Sequence, residues 1–295
     1  MIDLMITRSY AFGDIILASG ALEAMLQYDC SVTFRTDPLF VEWFRHAPYT
    51  TIPFTESIIE PHVTLDDVVE QQEDKLIMCG QNKNRIAIAC DILEITLEKH
   101  RPYFYMTDNE WDLVKKIKTL YPQPYIGISV SSRYGCKTLG YEKWSNIIDY
   151  LSSIFNGSIF IFDSPENHNK LQCKNKNNIH FLQYSWRTFT LHCRAMDFMV
   201  VPDSVWSHIA ASVDVPQLLL TSCTDGELIA KDYYKAIYPK PPFDCSPCWY
   251  HFNREGCSKH LPAYCLERIN STKLVMGIYE TIKGNVFDWK ELWTT

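Results

Sequence analysis

No two glycines in the sequence are separated by a single residue, which leaves a Gly-x-Gly dinucleotide fingerprint or a P-loop without support. There is no Asp-x-Asp pair either, so one common carboxylate arrangement for holding a divalent metal on a nucleotide sugar is missing. The longest apolar runs are of strand length, and no window approaches a membrane-spanning helix. The first residues, "MIDLMITRSYAFGD", carry neither a basic n-region nor a cleavage site, so a cytoplasmic protein is expected. Positive charge is not in excess: the formal net charge is −7, which removes a global pull toward nucleic acid or anionic lipid. There is no repeat of fixed period and no long low-complexity tract.

What is present fits a well-packed globule. A hydrophobic fraction of 46% over 295 residues is enough for two domains, each with its own core. Strand-like and helix-like segments alternate, which predicts an α/β fold with mainly parallel sheets. In the first half "IDLMIT" and "SVTFRT" read as strands, "DIILASGALEAMLQY", "PLFVEWFRH" and "NRIAIACDILEIT" as helices, and "RPYFYM" as an extended piece. "TDNEWDLVKKIKTLY" has a cap candidate in Thr107 or Asp108, early acids and late lysines, as a helix should. The two prolines of "YPQPY" then suit a linker, dividing the chain into 1–122 and 123–295. Beyond it "YIGISV", "SIFIFDS", "IHFLQ", "DFMVVPD" and "PQLLLTS" read as strands. "YEKWSNIIDYLSSIF", "WRTFTLHCRA", "SVWSHIAASV" and "NSTKLVMGIYETIKG" read as helices, the last belonging to a C-terminal segment that could return to the first domain.

Ligands of open parallel sheets sit in the loops leaving the carboxyl ends of strands. Three such loops stand out. In "TRSYAFGDIILASGAL", Gly13 permits a tight turn and Asp14 opens a helix; alone, Asp14 is equally an acid favourable to the helix dipole. In "SVSSRYGCKTLGYEKW", Ser131, Ser132 and Lys137 can hold a phosphate, or form an ordinary polar loop. In "VVPDSVWSHIAASVDVP", Asp203, Ser204 and His208 surround a helix start, whose free N–H groups suit a diphosphate. Ser204 and His208 are four apart and share a face, while Asp203 is placed to cap the helix or orient a neighbour.

In this order the three loops, with "CSPCWYHFNREGCSKHLPAYCLERI" after them, resemble the successive signatures of the ADP-heptose:lipopolysaccharide heptosyltransferases and their relatives. The resemblance runs from about Ile2 to about Ile282. It implies a GT-B fold: two Rossmann-like domains facing across a cleft, the acceptor on the first and a nucleoside-diphosphate sugar on the second. It implies Asp14 as the catalytic base, with Arg8 and Gly13 on the acceptor side. It places Ser131, Ser132, Lys137, Glu166, Asp203, Ser204, Val205 and His208 at the donor. The implied reaction is inverting transfer with no cofactor: a carboxylate activates the acceptor hydroxyl while Lys137, the serines and the helix start stabilise the leaving diphosphate. Two departures stand out. Val205 occupies the position where the resemblance implies glycine, which limits close backbone approach to a phosphate, and Trp206 beside it is bulky.

The eleven cysteines, with no secretion signal, read as reduced thiols. Cys245, Cys248, Cys257 and Cys265 form a cluster spaced Cys-x2-Cys-x8-Cys-x7-Cys, which four thiolates could close around a structural zinc, with His251 and His260 as substitutes. The other reading is a loop-rich segment that keeps free thiols. A saccharide acceptor follows from the resemblance. A hydroxylated base in viral DNA is the alternative, for which Lys115, Lys116 and Lys118 are a candidate patch or a plain solvated helix face. A non-catalytic nucleotide-sugar-binding protein is a further class, suggested by Val205 and Trp206. A dehydrogenase fits the alternation but lacks the glycine fingerprint.

Overall fold

The computed structural model describes residues 2–55, 61–79, 81–174, 177–249, 257 and 264–293. The first half runs β1 (Ile2–Arg8), α1 (Phe12–Met25), β2 (Cys30–Thr36), α2 (Pro38–Val41), β3 (Thr50–Pro53), β4 (Val63–Thr64), α3 (Val68–Met78), α4 (Arg85–Ile92) and α5 (Asp108–Ile117). The second runs β5 (Tyr125–Ile128), α6 (Tyr141–Ile154), β6 (Ser158–Phe162), α7 (Pro165–His168), β7 (Ile179–Leu182), α8 (Trp186–Ala195), β8 (Phe198–Pro202) and α9 (Val205–Ser212). It continues with β9 (Gln217–Leu220), α10 (Gly226–Ala230), β10 (Ala236–Ile237), α11 (Tyr264–Glu267) and α12 (Ser271–Ile282). The α/β expectation therefore holds, with additions in the first half: β3, β4 and α3 fall in a stretch where sequence pattern predicts no element.

The strands form two sheets, in the orders β3-β2-β1-β4 and β10-β9-β8-β5-β6-β7, with every pairing parallel. Parallel strands are covered on both faces, and β5, β6, β8 and β9 are buried at every position. Each sheet starts in its middle, builds outward on one side, then crosses back. The reversal lies between β1 and β4 in the first sheet and between β5 and β8 in the second. A crevice opens at such a reversal, beyond the carboxyl ends of the two strands.

The halves share an apolar core. Ile15, Leu22 and Phe34 from the first belong to one buried cluster with Met199, Trp206 and Ile209 from the second. Helix α1 packs on α9, and α5 packs on α8. Thr107 caps α5 in a reciprocal capping box with Glu110, and Arg187 of α8 grips the Glu110 carboxylate at 2.7 and 2.8 Å. The other face of the second sheet carries a separate core with Trp144 and Ile148 of α6, Leu274 and Ile278 of α12, and Leu292 and Trp293. Among the described residues the C-terminal segment, which could return to the first half, lies on the second: α12 packs on α6, and both bury apolar side chains in this core.

Candidate functional site

The two crevices open onto one cleft of about 850 Å³ between the halves, within the size range of ligand sites. On the first wall the chain leaves β1 through Ser9, Tyr10 and Ala11. Ser9 donates from its N–H and hydroxyl to Asp66, and the Tyr10 hydroxyl bonds Asp67, so the loops after β1 and β4 are tied together. Ala11 sits at φ 60°, a conformation that is strained for a residue with a Cβ. Its carbonyl there accepts from the N–H groups of Asp14 (2.7 Å) and Ile15 (3.0 Å), closing the first turn of α1 and turning Asp14 to the cleft.

Asp14 accepts from Arg85 Nη1 at 2.6 Å and has Arg8 Nη2 at 3.4 Å. Arg85 also forks onto Glu73 (2.8 and 3.3 Å), and Arg8 bonds Glu70 and the Leu65 carbonyl. Burial by itself would raise the Asp14 pKa. The two guanidinium groups outweigh it and hold the carboxyl below its ordinary range, so Asp14 is a carboxylate at neutral pH. Arg8 is not on the cleft surface as expected. It is 1% exposed and stands behind Asp14, because as the last residue of β1 it is covered by the loop after β4 and by α3.

Across the cleft, the loop after β5 supplies Ser131, Ser132, Arg133 and Tyr134, then one 3₁₀ turn with Lys137. Lys137 Nζ donates to Asp203 at 2.6 Å and lies 4.1 Å from the centre of the Trp249 indole. Burial opposes both charges, but each partner holds the other ionised: the Lys137 pKa is raised and that of Asp203 lowered. Ser132 donates to the Asp203 carbonyl at 3.1 Å. The cap of α9 is Ser204, which accepts from the Trp206 N–H; of the two roles expected for Asp203, cap or orienter of a neighbour, it has the second, holding Lys137. Val205 is the first residue of α9 and lines the cleft. His208, one turn on, bonds the Tyr233 hydroxyl through Nδ1 at 2.8 Å, and burial pushes its pKa down to about 4, so it is neutral at pH 7.

Gly13 and His208 mark where the walls meet. A Cβ on Gly13 would stand 3.1 Å from His208 Cδ2 and 3.9 Å from Val205 Cα. The glycine is needed for that approach, more than for the turn that sequence pattern predicts.

Glu166 is not in the cleft. It is exposed on α7, while Asp163, Ser164 and Asn167 line the wall. Ser131 donates to both Asp163 oxygens (2.9 and 2.8 Å) and accepts from Asn167 Nδ2 at 2.9 Å. Asp163 is the first residue after β6, as Asp203 is the first after β8; that strand-end position was the signal available for it. Arg85, Glu70, Glu73, Arg133 and Tyr233 were also missed.

The thiols of Cys245, Cys248, Cys257 and Cys265 are all free, with Cys248 and Cys265 buried. Cys248 packs with Cys136, Cys223 and Trp249 behind Lys137, and Cys223 and Cys136 have their sulfurs 3.5 Å apart. Among the described residues no three His, Cys, Asp or Glu side chains gather as a metal-ligand set. His251 and His260 lie outside the described residues. Among the described residues, too, no helix is long and apolar enough to cross a membrane.

No protein-family model matches the sequence, and no curated protein does. Solved structures match over nearly the whole chain. A family 9 glycosyl transferase from Veillonella parvula aligns with TM-score 0.67 at 12% identity, covering 95% of this chain and 97% of its own. The ADP-heptose LPS heptosyltransferase II of E. coli aligns with TM-score 0.63 at 12% identity, covering 96% and 99%. TibC of enterotoxigenic E. coli, a dodecameric iron-containing heptosyltransferase solved with ADP-D-β-D-heptose, aligns with TM-score 0.66 at 13% identity, covering 96% and 76%. The chain thus has the fold of these enzymes, the GT-B architecture of two facing Rossmann-like units.

Proposed function

We propose that the protein is an inverting glycosyltransferase that moves a sugar from a nucleoside-diphosphate sugar to a saccharide hydroxyl. The observation that carries this reading is the placement of a carboxylate ionised at neutral pH, Asp14, opposite a polar wall with Lys137, Ser131 and Ser132, with Gly13 at the joint between the two. Asp14 takes the proton from the acceptor hydroxyl as its oxygen attacks the anomeric carbon. The bond to the diphosphate breaks on the opposite face, which inverts the centre. Negative charge then grows on the leaving oxygen, and Arg133, Lys137, the neutral His208 and the N–H groups at the start of α9, which line the cleft, stabilise it. Asp163, held by Ser131 and Asn167, offers acceptors to hydroxyl groups of the donor. The fold likeness to an enzyme solved with ADP-heptose supports a nucleotide-sugar donor. Those side chains supply both roles, so no step here is routed through a metal.

The test begins with a thermal-shift screen against ADP-, UDP-, GDP- and CMP-sugars, since a ligand that binds the folded state raises the melting temperature. With the donor so identified, Asp14→Asn should keep the shift and lose turnover by about 10² to 10⁴-fold, the range for a general base. The anomeric configuration of the product is read by NMR. Full turnover in Asp14→Asn removes the assigned mechanism, and donor binding without turnover in the wild type makes the protein a non-catalytic binder.

A further inference from the structure

We infer that the acceptor is a saccharide unit without an anionic group; this rests on the glycosyltransferase reading above and specifies its acceptor. The first wall of the cleft carries four carboxylates, Asp14, Asp67, Glu70 and Glu73, against two cations, Lys83 and Arg85. Both cations are already engaged. Arg85 is spent on Asp14 and Glu73, and Lys83 on Asp91. Arg8, buried behind the wall, is bound to Glu70 with Asp14 and Asp66 in ion-pair range. A phosphate, a sugar carboxylate or a nucleic-acid backbone brought to Asp14 therefore meets like charge and must pull a guanidinium away from its partner. Discrimination built on an excess of like charge is a means of rejecting a competitor, independent of how well the right ligand is held.

The same wall suits hydroxyl groups. An ionised carboxylate only accepts hydrogen bonds, so it pairs with O–H donors, which every neutral sugar supplies and an ionised phosphate or carboxylate lacks. Aromatic faces complete the surface. Tyr10, 40% exposed, and the half-buried Phe12 and Trp186 line the cleft beside Asp14, and Phe12 packs edge-on to Trp186 with centroids 5.5 Å apart. Rings of this kind cover the C–H face of a pyranose while the carboxylates take its hydroxyls. The other cations of the cleft, Arg133 and Lys137, belong to the second half, on the wall assigned to the donor.

The experiment is an acceptor panel with the donor found by thermal shift: matched glycosides of one sugar as the neutral compound, the uronic acid and the phosphate ester, with a hydroxymethylated DNA duplex alongside. The neutral glycoside should exceed its anionic counterparts in kcat/KM by about tenfold or more at low salt, and the gap should shrink as salt screens the wall. Asp67→Asn is the variant of choice, because asparagine tolerates the left-handed φ of 59° at this position. It should narrow the neutral-to-anionic ratio several-fold. Preference for the uronic acid, the phosphate ester or the duplex overturns the inference while leaving the glycosyltransferase reading intact, and so does a ratio that Asp67→Asn does not change. Absence of donor binding and turnover with every compound overturns the glycosyltransferase reading itself, and the inference with it.

Discussion

Replacing Arg85 by glutamine should convert Asp14 from a carboxylate held ionised into one that titrates upward. Burial is the largest influence on Asp14 and works to protonate it; the Arg85 guanidinium at 2.6 Å is the first of the groups that reverse this. Without it, Arg8 remains at 3.4 Å but is shared with Glu70. A single adjacent arginine lowers a carboxyl by about 1–3 pH units, equivalent to about 1.4–4 kcal/mol. The acid limb of the kcat/KM profile should therefore move up by about 1–2 units. Activity lost on the acid side should return as pH rises toward neutral, because only the ionised form takes the proton. Arg85→Lys keeps the charge and should leave the limb nearly in place. Stability follows the same sign. In the wild type, the depressed Asp14 pKa contributes stability above the ordinary carboxylate value that is lost as pH falls through the depressed one. In Arg85→Gln the depression shrinks, so this contribution is smaller and less stability is lost as pH falls through the acid range. Rate profiles and chemical denaturation across pH measure both. A uniform loss of rate with an unmoved acid limb would refute the reasoning and leave Arg85 with a positioning role only.

Gly13→Ala puts a methyl 3.1 Å from His208 Cδ2 and must spread α1 from α9; kcat/KM should fall about tenfold while thermal stability, read by melting, changes little, since alanine favours helix. Lys137→Met leaves Asp203 as an unpaired buried charge, and urea unfolding should show a loss of about 3–5 kcal/mol. Adding Asp203→Asn should restore most of that stability but not donor affinity. Tyr233 is buried, with its pKa raised so that it stays a phenol, and among the described residues its hydroxyl bonds only His208 Nδ1. With the hydroxyl as donor to Nδ1, the imidazole proton sits on Nε2. Tyr233→Phe should release that tautomer, visible in imidazole ¹⁵N shifts, and weaken donor binding about five-fold, the worth of one hydrogen bond.

The second half was legible because strands buried on both faces are uninterrupted apolar runs. "SIFIF", "FMVVP" and "QLLL" stand out as such, and α8 covers the segment "WRTFTLHCRA" that reads as a helix, with Ser185 as its cap. The middle of the first half was not. Strand β4 is two residues long, β3 is an edge of four residues ending in Pro53, and α3 carries three acids and a lysine in eleven residues. None of these has a period to read. Asp14, Lys137, Asp203 and His208 were found because each lies next to a strand end or helix start. Their partners were not, since Arg85 is 71 residues from Asp14 and Tyr233 is 25 from His208. Such pairs are set by sheet order, which local sequence does not encode.

Sheet order also answers the question raised by Val205. A glycine at the start of α9 would bring backbone close to a phosphate, and this chain has a β-branched residue there, with Trp206 turned into the apolar core between the halves. The close approach is nonetheless made, from the other side: the missing Cβ belongs to Gly13, whose open face meets His208 and the Cα of Val205. The small residue of this joint lies on the opposing helix, while Val205 lines the cleft with its side chain. Because α1 and α9 follow the strands next to the two reversals, one glycine on α1 sets the distance between Asp14 and the donor wall. The joint therefore works as a unit of two helices. Its spacing depends on the pair Gly13 and Val205 together, which is why neither loop read alone accounts for the site.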